Sequence, residues 1–88
     1  MTDLDAPIPG LSFSKALGFI KEHKPYGFIL RSGWNGKNLK VKVQEPDENS
    51  KMTLPYLYIE YPDGKRCPWH ASQTDILTED WYCGVQND

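Results

Sequence analysis

Two short stretches hold the residue types that could do chemistry. Pro68-Trp69-His70-Ala71-Ser72-Gln73-Thr74-Asp75 joins a large flat ring to a run of short polar side chains, and Gly33-Trp34-Asn35-Gly36 sets a second tryptophan beside a turn. Indole faces stack on planar rings. Hydroxyls, amides and the free N–H groups of a helix start bond to anions and sugars. Ser72, Gln73 and Thr74 are therefore candidate contacts to a phosphate or a ribose hydroxyl, with Ser72 also placed to cap a helical turn. Asp75 would repel a phosphate but accept hydrogen bonds from a ribose diol or an adenine amino group. Arg31, on the strand that leads to Trp34, is the best candidate for gripping a phosphate, because its planar guanidinium holds two oxygens at once. Each residue also has a plainer use. A tryptophan at a hairpin end can cap a core, a polar run before a helix is ordinary capping, and strand arginines commonly point to solvent.

Catalysis finds less support in the same residues. Ser72, His70 and Asp75 are triad residue types crowded into six positions, with no Gly-x-Ser-x-Gly elbow and no separate element for the base. Asp47-Glu48 and Glu79-Asp80 are adjacent carboxylates, which suit solvated turns better than a facing acid and base. No phosphate-cradling glycine loop and no dinucleotide fingerprint occurs. Cys67, Cys83 and His70 could offer zinc two thiolates and an imidazole, but a structural site needs four protein ligands and His23 is the only other histidine. No metal and no cofactor is expected, and the two cysteines read as reduced thiols on strands.

These groups must be positioned by a small scaffold. A chain of 88 residues makes one domain, and at that size folding buries only a little over roughly 60% of the unfolded surface. Net charge is −2, too small for a field that would steer the protein onto a nucleic acid polymer or an anionic membrane. No apolar run approaches the roughly 20 residues of a membrane span, and residues 1–11 have neither the basic start nor the apolar block of a signal peptide. A cytoplasmic protein is expected.

Pro7, Pro9 and Gly10 make residues 1–11 an extended or disordered lead-in, and residues 12–88 the single domain. Ser12 is a plausible N-cap for a helix whose apolar stripe is Phe13, Ala16, Leu17 and Ile20, and which Pro25 and Gly27 stop. Strands follow at 27–31, around Leu39, Val41 and Val43, at 56–61 and at 66–69, with a tight turn at Asn35-Gly36 and another at Pro62-Asp63-Gly64-Lys65. A short helical turn begins at Ser72 with Asp75 as its acidic third residue, and 81–85 closes the sheet with Trp81 in the core. The fold class is α+β: one N-terminal helix packed on a twisted antiparallel sheet of four to five strands, with a short helical turn near the C-terminus.

Phe13-x-x-Ala16-Leu17-x-x-Ile20-Lys21, Arg31-x-Gly33-Trp34-Asn35-Gly36-Lys37, Ser50-Lys51-Met52-Thr53-Leu54-Pro55-Tyr56 and Pro68-Trp69-x-Ala71-Ser72-Gln73-Thr74-Asp75-Ile76-Leu77-x-x-Asp80-Trp81 together resemble the small phage and prophage family of the Thoeris anti-defence two-like domain. The likeness covers residues 12–82, with departures at 23–27, His70 and Thr78. It implies a non-enzymatic sponge that sequesters a cyclic ADP-ribose isomer or related cyclic nucleotide in the bacterial host cytosol, working as a homo-oligomer, a tetramer in relatives. It further implies Phe13, Trp34 and Trp69 as stacking walls, Asn35, Ser72, Gln73, Thr74 and Asp75 as polar contacts, and Arg31 as the charge partner. Tyr56, Tyr58 and Tyr61 would supply a sheet face for a partner subunit. The alternatives are a protein-interaction module of phage replication or assembly, and a small nucleotide hydrolase using His70 or Asp75.

Overall fold

A computed structural model describes residues 8–34, 37–49 and 51–86. The order of elements is β1 (Ile8–Leu11), α1 (Phe13–Glu22), β2 (Gly27–Arg31), a 3-10 turn (Ser32–Trp34), β3 (Lys40–Gln44), β4 (Tyr56–Glu60), β5 (Arg66–Pro68), α2 (Gln73–Leu77) and β6 (Trp81–Val85). The α+β class holds, with six strands where four to five were expected. The extra one is β1, whose Pro9 and Gly10 read as strand breakers. It is a sheet edge, where a missing N–H removes no ladder bond from a central strand.

All strand pairs are antiparallel, in the spatial order β1-β6-β2-β3-β4-β5. The last strand therefore runs between the first two, and Gly27 to Arg31 pair in register with Val85 to Trp81. This placement brings the end of the chain beside Arg31 and makes the site below a non-local one.

Helix α1 starts where the sequence expects. Ser12 is its N-cap, with Oγ accepting the Lys15 N–H. Its buried stripe is Ala16 and Ile20, which pack with Ile29, Val41, Val43, Ile59, Trp81 and Cys83 into one core, against which Phe13 and Leu17 lean half-buried. Alternation along β3 is as read: Val41 and Val43 are buried between more exposed Lys42 and Gln44. The Pro62-Asp63-Gly64-Lys65 turn is also present, with Gly64 at φ +88° donating its N–H to Tyr61 O and the Tyr61 N–H bonded to Lys65 O. By contrast, β2 ends at Arg31 and β3 begins only at Lys40, a longer connection than the two-residue turn expected at Asn35-Gly36, residues that lie outside those described.

Strand alternation corrects the expected tyrosine face. Tyr56 and Tyr58 share the side of the sheet away from α1, whereas Tyr61 continues the opposite row, its hydroxyl 3.6 Å from Cys67 Sγ. Tyr58 is already buried within the protomer, beneath the Arg66 guanidinium. On that same outer side the Phe28 ring lies over Gly84 and under Lys40 Nζ.

A methyl group added at Gly84 would meet Phe28 Cζ at 2.9 Å. Gly84→Ala is therefore expected to cost about 1–3 kcal/mol by overpacking. Urea denaturation is expected to show that cost shrink in a Phe28→Leu background, as contact coupling requires.

Candidate functional site

The site grows from Trp81, which is fully buried at the start of β6. Three half-buried rings surround it. Phe13 comes from the start of α1 at 5.4 Å between centroids, Trp34 from the 3-10 turn at 5.5 Å and 81°, and Trp69 from the end of β5 at 6.0 Å and 85°. Phe13 and Trp69 also meet at 6.3 Å. Edge-to-face pairs at these distances add to simple area burial. Each outer ring thus has part of its surface on Trp81 and part exposed to solvent.

A polar layer lies against the rings. The Trp81 indole N–H donates to the Asp75 carbonyl at 2.8 Å. Arg31 Nη1 donates to Asp75 Oδ1 at 2.8 Å, and Nε to Asp80 Oδ1 at 3.0 Å. Asp75 Oδ2 accepts the Ser72 N–H at 2.9 Å while its own N–H bonds to Ser72 Oγ at 3.1 Å, completing a capping box at the start of α2. Asp80 in turn accepts the Gly33 N–H at 3.1 Å, Ser32 Oγ at 3.2 Å and Thr78 Oγ1 at 3.0 Å. One guanidinium thereby joins the ends of β2 and α2 to the segment before β6.

The electrostatics follow from this geometry. Bonds to Asp80 first, then to Asp75, raise the Arg31 pKa above its ordinary value. For Asp75, burial is the largest influence and pushes its pKa up, but the Ser72 N–H, Arg31 and the Ser72 hydroxyl together outweigh it and leave the carboxyl below its ordinary value. Asp80 behaves alike: burial raises its pKa, and Arg31, Thr78 and the Gly33 N–H lower it further than that.

The structure gathers Phe13, Arg31, Trp34, Trp69, Ser72 and Asp75 around this centre and sets Gln73 and Thr74, both exposed, on the adjoining helix α2. Asn35 lies outside the described residues. Two placements differ from the expected uses. Arg31 is not an open fork, because its guanidinium is shared by two carboxylates and only 15% of the side chain is exposed. Asp75 likewise is only 9% exposed and spent on the cap and the ion pair. Asp80 was missed as a site residue. It read as half of a solvated acidic pair, yet only Glu79 is exposed. Its position directly before a core tryptophan was the available signal.

Other candidate chemistry is scattered. His70 and Cys67 are exposed, Cys83 is buried in the core, and no group of His, Cys, Asp and Glu among the described residues is arranged to hold a metal ion. Two surface concavities lie apart from the rings, one at the β4–β5 turn lined by Tyr61, Pro62, Asp63 and Lys65, and one on the outer side of the sheet between Tyr56, Tyr58 and Arg66. Among the described residues, no helix is long and apolar enough to cross a membrane.

Both lowered carboxylates bear on acid stability. A group with a lowered folded pKa contributes fully above its unfolded value, about 3.9 for aspartate, and loses that contribution as pH falls through the folded value. The melting temperature is therefore expected to drop from about pH 5 downward. Asp75→Asn and Asp80→Asn should each be less stable at neutral pH, with a shallower acid limb. An unchanged slope in both would refute the assignment.

Comparison with known proteins identifies the family. Residues 11–83 match the family model of the Thoeris anti-defense 2-like domain. A protein of Bacillus phage SP01 named Thoeris anti-defense 2 is 32% identical over 84 residues, an alignment covering 81% of this chain and 91% of that protein.

Proposed function

This chain belongs to the Thoeris anti-defense 2-like family, and on that premise we propose that it binds a cyclic ADP-ribose isomer, or a related cyclic nucleotide, and withholds it from the bacterial defence that produced it. Its role is accordingly in phage anti-defence. The observation that carries the ligand class is the set of half-buried rings, Phe13, Trp34 and Trp69, fixed on one buried tryptophan beside the polar start of α2. An adenine stacks on an exposed indole face, and Ser72, Gln73 and Thr74 bond the ribose hydroxyls. Asn35, which follows Trp34 in the sequence, is included in this proposal on the family resemblance alone. Arg31 and Asp75 act from the floor of the site, holding one another and the rings.

Sequestration fits these residues better than turnover. The Ser72 hydroxyl is engaged as a cap and Asp75 as an ion-pair partner, so neither is poised as nucleophile or orienter of a triad. The protein acts without a cofactor, in the host cytosol, and as a homo-oligomer, a tetramer. Assembly suits a small domain whose own core is limited.

Thermal shift against a panel of cyclic ADP-ribose isomers and cyclic dinucleotides tests the proposal. A saturating ligand at a hundred times its Kd is expected to raise the melting temperature by about 10–20 °C. Trp34→Ala and Trp69→Ala should lose most of that rise, and heating the complex should release intact ligand. Linear product would favour a hydrolase. No shift with any cyclic nucleotide, together with a specific protein partner, would favour an interaction module.

A further inference from the structure

The Asp80 carboxylate sits inside a ring of donors, an environment suited to an anion. Arg31 Nε at 3.0 Å and Nη2 at 3.5 Å, Ser32 Oγ at 3.2 Å, the Gly33 N–H at 3.1 Å and Thr78 Oγ1 at 3.0 Å all point at its two oxygens. The Asp80 carbonyl also accepts the Ser32 N–H at 3.0 Å. Residue 80 thus holds the Ser32–Trp34 turn by both its side chain and its backbone.

Neighbouring residues make the grip a paired one. Asp80 fastens the Gly33 amide, and the next residue, Trp81, carries the next ring, Trp34, edge-on at 5.5 Å. Gly33 keeps this fit close, because a β-carbon there would lie 3.2 Å from Asp80 Oδ2 and 3.3 Å from Arg31 Nη2, and those side-chain ends would have to give by a few tenths of an ångström. The turn has three residues, two of them exposed, and its backbone bonds run to Asp80 and from Lys37 to the Trp34 carbonyl.

We infer that Asp80 is a positioning residue of the ligand site: its carboxylate is a built-in anion that fills the cradle of Arg31, Ser32, Gly33 and Thr78 and thereby sets the Trp34 ring. This rests on the ligand class proposed above only for its effect on affinity. The cradle itself is a property of the free protein. Removing the carboxylate leaves the Gly33 N–H and the Arg31 Nε without their acceptor, and the turn that carries Trp34 loses its side-chain anchor while the Ser32 N–H bond to the residue 80 carbonyl remains. A small external carboxylate supplied in solution occupies the vacated cradle and restores the ring.

The test uses Asp80→Ala in protein labelled with 5-fluorotryptophan, with the Trp34 resonance assigned through Trp34→Phe. In chloride the Trp34 signal is expected to shift and broaden, and affinity for the cyclic ADP-ribose isomer that binds the wild type to fall about 10- to 100-fold through misplacement of a wall. In formate at equal ionic strength both should return toward wild type, while the wild-type protein responds to neither salt. A Trp34 signal unchanged by the substitution, or a recovery no better in formate than in chloride, would overturn the inference. If Asp80→Ala does not fold, recovery of the fold in formate but not chloride supports it. Asp80→Asn with a wild-type Trp34 signal and undiminished affinity overturns it. Because the fluorine signal is read without ligand, failure of the ligand proposal alone leaves this arm decisive.

Discussion

A guanidinium taken largely out of water at the end of β2 has to be neutralised there, and the fold recruits two carboxylates from the last fifth of the sequence to do so. Arg31 lies between Asp75 and Asp80 with its Nε and Nη1 bonds at 3.0 and 2.8 Å. Everything that defines the site depends on this neutralisation. Asp75 fixes the start of α2, Asp80 fixes the turn before β3, and the chain between them delivers Trp81 to the core. Removing Arg31 would leave two carboxylates at low exposure without their counter-charge, which costs more than the ion pairs themselves contribute. The network is better understood as a device for geometry than as a source of stability.

The topology explains how such distant residues meet. Because β6 is inserted between β1 and β2, its first residue pairs with Arg31, and the preceding loop is laid alongside the 3-10 turn. The crossover from β5 to β6 carries Trp69 and α2 over the side of the sheet that holds α1. Three sequence-distant aromatic residues then converge on Trp81. Rings held by mutual contact and by a satisfied polar layer lose little freedom when a flat ligand arrives, the condition under which stacking yields affinity.

Local structure was legible because local chemistry decides it. Ser12 and Ser72 cap the helices they announce, the Phe13, Ala16, Leu17, Ile20 stripe faces the core, and Val41 and Val43 alternate into it. The capping box at Ser72 and Asp75 is complete, since a carboxylate reaches back to the N-cap amide at 2.9 Å. What was not legible is what non-local pairing decides. The sequence around β1 shows breakers because an edge strand tolerates them. Asp80 looks like half of a turn's acidic pair until β6 is seen to place it against Arg31. Similarly, Arg31 reads as a free phosphate fork because nothing near it in sequence neutralises it. Separation of Tyr61 from Tyr56 and Tyr58 is different in kind, since strand alternation is a local rule that the sequence already carries.

On the proposed function, the ring-walled site held by Arg31, Asp75 and Asp80 receives a cyclic nucleotide. A crystal structure of the protein with a cyclic ADP-ribose isomer that it binds tests this most directly. The adenine is expected against Trp34 or Trp69, with ribose hydroxyls within hydrogen-bond reach of the Ser72-Gln73-Thr74 segment and Arg31 still bonded to both carboxylates. A ligand seated on the outer side of the sheet by Tyr56, Tyr58 and Arg66, or one that draws Arg31 away from Asp75 and Asp80, would contradict it.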